Sequence, residues 1–131
     1  MLEQGLVTLL LANAGVSALI GTRIYPVQGP PDNPTYPYIT YQDFTAAPSD
    51  YAFDSAELVT RRIQFAYWGL AYSDGAGIYL AVRNAISGYV GTLGDGTRVL
   101  FAKHLTWMNN FDVDSRSYRS VDEYEFQISE A

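Results

Sequence analysis

Two stretches decide the fold class: Glu57-Leu58-Val59-Thr60-Arg61-Arg62-Ile63-Gln64-Phe65-Ala66-Tyr67-Trp68, and after a short break Ser73-Asp74-Gly75-Ala76-Gly77-Ile78-Tyr79-Leu80-Ala81-Val82-Arg83-Asn84-Ala85-Ile86-Ser87-Gly88. In the first, Ile63, Phe65 and Tyr67 fall on one side and Arg62 and Gln64 on the other, the period-two pattern of a half-buried strand. In the second, Ile78, Val82, Ala85 and Ile86 recur at helical spacing, with Leu80 and Ala81 alongside. Ser73 or Asp74 is predicted to cap the helix start, and Gly88 to end it. The period changes from two to 3.6 within one short connection.

Downstream, Asp95-Gly96 marks a tight turn into a strand from Arg98 to about Trp107. Asn109 to Ser117 reads as a second turn region carrying Asp112 and Asp114. The last strand runs from Tyr118 to Ile128, with Tyr124, Phe126 and Ile128 inward and Glu123, Glu125 and Gln127 outward. Upstream, Tyr38 to Phe44 is aromatic and β-branched and reads as a strand. Ala46 to Ala56 reads as a loop that carries two aromatics, Tyr51 and Phe53. They either fold back onto their own core or dock on a neighbouring chain. Tyr25 to Pro37 contains Pro26, Pro30, Pro31, Pro34 and Pro37 and is predicted to be an extended surface connection. The first segment, Leu2 to Asn13, places Leu2, Leu6, Leu9 and Asn13 on one stripe with Leu10 beside it. Gly15 is its predicted C-terminal cap, followed by a short turn over Val16 to Ile20. The order α-β-β-α-β-β predicts an α+β fold: a four-stranded, mainly antiparallel sheet with two helices packed on one face. One domain spans residues 1–131, without internal repeats.

Composition narrows the chemistry. The chain has 131 residues, no Cys and one His. Disulfide frameworks, thiolate nucleophiles, Cys-type zinc sites and multi-His metal sites within one chain are excluded. No apolar run is long enough to span a bilayer, and the start at Met1 lacks a basic region before Arg23, so synthesis in a cytoplasm is expected. Eight Lys+Arg against fourteen Asp+Glu give a formal charge of −6. Without a basic cluster this is a poor match for duplex phosphates or for an anionic membrane. Eleven Tyr, six Phe and two Trp accompany a single Lys, Lys103. Interfaces favour aromatics and Arg over Lys, so composition favours a large self-interface beside the ordinary reading of a Tyr-rich β core.

No motif supplies catalysis. Gly91-Thr92-Leu93-Gly94-Asp95-Gly96 resembles a phosphate loop, but strand-like Arg98-Val99-Leu100-Phe101 follows where a helix N-terminus is needed. Ser73 to Gly77 opens a helix without the full glycine fingerprint. Asp112-Val113-Asp114 lacks the ligands and glycine of a calcium loop. Pro34 disqualifies Asn33-Pro34-Thr35 as a glycosylation site. His104 has no nucleophile elbow to serve and reads as a satisfied or exposed strand residue. The neighbours Asp122 and Glu123, and Asp112 with Asp114, read as solvated carboxylates. No cofactor and no metal are expected, and the chain is not expected to be an enzyme.

The order of these pieces resembles the small tail-completion or tail-terminator proteins of long-tailed bacteriophages, the group containing the lambda-type terminator. The matching residues are the Leu-rich first helix; Gly21-Thr22-Arg23-Ile24-Tyr25-Pro26; the Pro-rich connection into Pro37-Tyr38-Ile39-Thr40-Tyr41; Arg62-Ile63-Gln64-Phe65; Val82-Arg83-Asn84-Ala85-Ile86-Ser87-Gly88; and Tyr118-Arg119. Gly75 and Gly77 depart from the pattern. The resemblance implies a structural virion protein. Such proteins form a ring, usually six-fold, at the head-proximal end of the tail tube, where they stop its polymerisation and offer a surface to the head connector. The partners implied are further copies of the chain, the tail-tube protein and the head connector or stopper. DNA passes through the bore without specific binding. On this reading Tyr51, Phe53, Arg61, Arg62, Glu123 and Glu125 are candidate assembly residues. Arg61 or Arg62 would pair with Glu123 or Glu125 across the ring, or else within one sheet. Asp112 and Asp114 are candidates for the bore or rim. Competing readings are a head-completion or stopper protein, a small-molecule-binding α+β module, and a hydrolase using paired carboxylates.

Overall fold

A computed structural model describes residues 2–26, 35–43, 58–94, 96–113 and 116–129. Helix α1 spans Leu2–Ala12 and α2 spans Ala14–Ile20. The strands are β1 (Ile24–Pro26), β2 (Tyr38–Asp43) and β3 (Leu58–Gly69). After α3 (Tyr72–Ile86) come β4 (Gly91–Thr92), β5 (Arg98–Asp112) and β6 (Ser117–Ser129). The α+β class holds, but the sheet has six strands in the order β1-β2-β3-β6-β5-β4, and three helices rather than two.

Three corrections follow. The first helix breaks at Asn13, whose extended backbone and side-chain oxygen, accepting from Val16 N–H at 3.1 Å, start a second helix at an 88° bend. Gly15, the predicted cap, lies inside α2. The expected stripe shifts accordingly, so that Leu2, Leu6 and Leu10 are buried while Leu9 is half-buried. The proline-rich connection hides β1, which pairs parallel with β2, Ile24 opposite Ile39. Pro26 is tolerated there because an edge strand has one side of its backbone free of ladder bonds. The two-residue β4 answers β5 across the turn that Gly96 helps close, Thr92 opposite Arg98.

The sheet centre follows the period-two reading. β3 and β6 pair antiparallel along their whole length, Ile63 opposite Tyr124 and Phe65 opposite Asp122. Ile63, Phe65, Tyr67, Tyr124, Phe126 and Ile128 are buried beneath the helices, as expected. Two register shifts, between Val99 and Phe101 and between His104 and Thr106, interrupt the alternation of β5. Helix α3 lies across β3, β5 and β6, and α1 and α2 pack against it. It buries Ile78, Tyr79, Val82 and Ile86. Ser73 does not cap it. The N-cap is Ala71, whose N–H donates to the Asp74 carboxylate at 3.2 Å. Gly88, with φ 76°, follows the C-cap Ser87 as expected. Gly75 lets the helix approach the sheet, because a Cβ there would collide with the Ser120 side chain.

Candidate assembly surface

The helices cover one face of the sheet and leave the other without a layer among the described residues. The covered face contains a polar cluster within its core. Asp122 is fully buried in the inward row of β6. It accepts a hydrogen bond from the Tyr67 hydroxyl at 2.6 Å, and its other oxygen lies 2.6 Å from His104 Nε2. The solvated reading of Asp122 is therefore overturned, because residues 122, 124, 126 and 128 share one face. Glu123, its neighbour, does point outward. Burial raises the Asp122 carboxyl above its ordinary value, while the Tyr67 hydrogen bond, the His104 charge and the nearby Tyr124 hydroxyl pull it back down. The Tyr124 oxygen sits close to that carboxylate but outside hydrogen-bond geometry. Burial pushes the Tyr67 hydroxyl well above its ordinary value, with the Asp122 charge adding to the effect, and raises Tyr124 for the same two reasons.

This cluster joins strands rather than exposing a reactive group. His104 stands at the second register shift of β5, wedged between the rings of Tyr79 (5.5 Å) and Tyr124 (5.2 Å). Trp107 stacks on Tyr79 at 4.1 Å. The pair links β5 to β6, and Tyr67 links both to β3. Buried polar groups with partners fix a unique register. Of the two readings its position left open, satisfied or exposed, His104 is thus the satisfied strand residue. Among the described residues no group of three or more His, Asp or Glu is arranged to hold a metal.

The uncovered face carries the charged rows. Arg62 lies opposite Glu125, which lies opposite Lys103. Arg62 donates diagonally to Glu123 at 3.1 Å. Arg61 points to the other side and pairs with Asp43 of β2 at 2.9 Å. Both arginines thus have carboxylate partners within their own chain. Glu123 and Glu125 are half-buried. Asp112 ends β5 next to the final turn. Tyr51, Phe53 and Asp114 lie outside the described residues.

Toward one end of this face, Trp68 stacks on Tyr38 with ring centroids 6.0 Å apart and an interplanar angle of 9°. Trp68 Nε1 donates to Thr40 Oγ1 at 3.2 Å, and Arg119 lies 5.5 Å over the Trp68 ring. Burial pushes the Tyr38 hydroxyl up to about 12, with help from neighbouring Tyr36. The concavity over β2 and β3 holds about 90 Å³, well below the roughly 300–1,000 Å³ of typical small-molecule sites. At the same end but on the helix side of the sheet, Tyr72 of α3 and Phe111 of β5 pack edge-on against Tyr118 at 5.7 and 5.1 Å, and both remain exposed to solvent. Sequence reading did not single out this aromatic end. The signal was there in Tyr118, a large ring at the start of an alternating strand and opposite Phe111.

A family model described as tail completion protein gp17 matches residues 4–129, nearly the whole chain. The chain belongs to the gp17 tail completion family. Among solved structures, a chain from the virion of a native gene transfer agent particle matches with a TM-score of 0.79 at 17% identity, over 98% of this chain and 94% of that one. The bacteriophage SPP1 gp17 protein matches with a TM-score of 0.56 at 19% identity, over 98% and 89%. At such identities these two likenesses concern the fold. No curated protein matches. The gp17 tail completion family is a class of structural tail proteins and not an enzyme class, so this member has a structural tail-completion role and its place is the virion tail.

Proposed function

We propose that this gp17-family chain closes into a ring, six-fold by the resemblance above, at the head-proximal end of the tail tube. There it ends tube polymerisation and presents the joining surface for the head connector. The observation that supports this reading is the uncovered sheet face, which combines charged rows with the exposed side chains of Phe101 and Met108 in a chain whose other face is already covered by helices. A cyclic ring needs two different complementary patches on each copy. The charged rows with Glu125 and Lys103 supply one candidate patch, and the aromatic end around Tyr72 and Phe111 another. Arg62 and Glu123 act there as a pair already formed within the sheet, while Arg61 pairs with Asp43 on the other side. Tyr51 and Phe53 serve subunit or tube docking, and Asp112 and Asp114 face the bore or rim. Six copies at −6 each would place on the order of −36 around the channel, which repels DNA phosphates and keeps transit free of sticking.

Electron microscopy of particles lacking this protein tests the proposal. Overlong tails are the expected result. Tails of normal length on full heads that leak DNA would instead assign the chain to the stopper.

A further inference from the structure

We propose that Arg119, in the concavity of the uncovered face, receives a carboxylate side chain from a neighbouring copy of this chain. The inference rests on the ring reading and names one contact within it. Arg23 donates to the Pro37 carbonyl, Arg61 holds Asp43, Arg62 holds Glu123 and Arg83 holds the Tyr79 hydroxyl. Arg119 differs from these four. Among the described residues no carboxylate reaches ion-pair distance of it, and its Nε, like that of Arg61, is buried without an acceptor.

The surroundings hold the guanidinium in place. Trp68 supports it from below and is itself fixed by Tyr38 and Thr40. Gln42, Gln64 and Ala66 also line the concavity. A guanidinium held over an indole, even with its Nε buried, can present its terminal Nη1/Nη2 edge to a bidentate carboxylate, a strong mode of recognition. The volume of about 90 Å³ admits a carboxylate head and little more. Charge decides the occupant. The chain carries fourteen acidic residues against eight basic ones, so the surface that an adjoining copy offers is predominantly acidic, and an unneutralised arginine is its complement. A half-buried cation also weakens repulsion between like-charged copies where they meet.

The test is the self-association of purified full-length protein, followed by light-scattering mass over a concentration series at low and high salt, for wild type, Arg119→Ala and Arg119→Lys. The expected result has three parts. Association of wild type weakens with salt. Arg119→Ala needs at least about tenfold higher protein concentration to assemble, with a thermal midpoint close to that of wild type. Arg119→Lys falls between them, since an ammonium lacks the planar fork. Arg119→Ala assembling as wild type does would overturn the inference while leaving the ring intact. Normal assembly of Arg119→Ala combined with lost binding to tail tubes would overturn it too, by moving the contact to the tube protein. A wild type that stays monomeric with tubes present would overturn the ring reading itself, and this contact with it.

Discussion

The two faces of the sheet treat charge in opposite ways. Beneath the helices, Asp122 is fully buried and has Tyr67 and His104 as partners. On the uncovered face, Arg62 and Glu123 meet near water, and Arg119 is half-buried without a carboxylate partner among the described residues. A buried charge with partners ties strands together and serves the fold. A half-buried charge without one is costly unless something else comes to meet it. The contrast assigns stability to the covered face and supports the proposal that the open one serves assembly.

The covered face predicts the largest effects. Tyr67 and Tyr124 both have hydroxyls raised above 10.0 in the fold. As pH climbs past 10, the unfolded chain releases protons that the native state keeps. Stability present below that pH is then lost, at about 1.4 kcal/mol per pH unit for each tyrosine. Urea titrations across the alkaline range should show this limb, and Tyr67→Phe should shrink it. An unchanged limb would mean that the cluster opens before it titrates. Asp122 has the same sign, with a carboxyl raised above 3.8. Its own contribution therefore favours the fold on mild acidification and declines as pH rises through the raised value.

Asp122→Ala leaves the Tyr67 hydroxyl and His104 without their acceptor, at about 1–3 kcal/mol for each group. Asp122→Asn, which keeps an acceptor oxygen, should lose less. Denaturant midpoints at constant slope measure both. If Asp122→Ala is as stable as wild type, the polar cluster is not what holds β5 in register.

Two glycines of α3 sharpen the comparison because they predict opposite signs. Gly75 faces Ser120 of β6 with no room for a Cβ, so Gly75→Ala should cost about 1–3 kcal/mol through overpacking. Gly77 has nothing within 4 Å of a built Cβ, so Gly77→Ala should gain about 1 kcal/mol of helix propensity. Thermal melts of the two single variants decide it. Equal signs would mean that α3 does not sit on β6 as described.

The smallest effect belongs to the open face. A double-mutant cycle on Arg62 and Glu123, whose side chains are 48% and 16% exposed, should give about 0.2–1 kcal/mol and fade with salt. A larger coupling would place this pair among the fold-holding contacts and blur the division between the faces.

What the sequence disclosed follows from how each signal is written. The strands around Ile63 to Tyr67 and Tyr124 to Ile128 and the helix around Ile78 to Ile86 carry clean periods, and they are where reading predicts them. β1 escaped because prolines conceal an edge strand whose ladder needs few N–H groups, and β4 because two residues carry no period. The break at Asn13 competes with Gly15 for the same role, and the side-chain cap onto Val16 decided it. In β5 the extra residues at the two register shifts scramble the alternation that would have shown His104 to point inward. Asp122 was legible after all: the inward row of Tyr124, Phe126 and Ile128 extends to it, although the adjacent Glu123 made the pair look solvated. The open face was the least legible part, since a surface proposed for assembly is defined by what another copy would bring to it.

The most direct measurement is the mass of the assembled protein, by light scattering with negative-stain imaging, alone and beside tail tubes. The account predicts closed rings seated on tube ends, with a mass six times the 14.5 kDa of one chain. Protein that remains at the mass of one chain in the presence of tubes would contradict it.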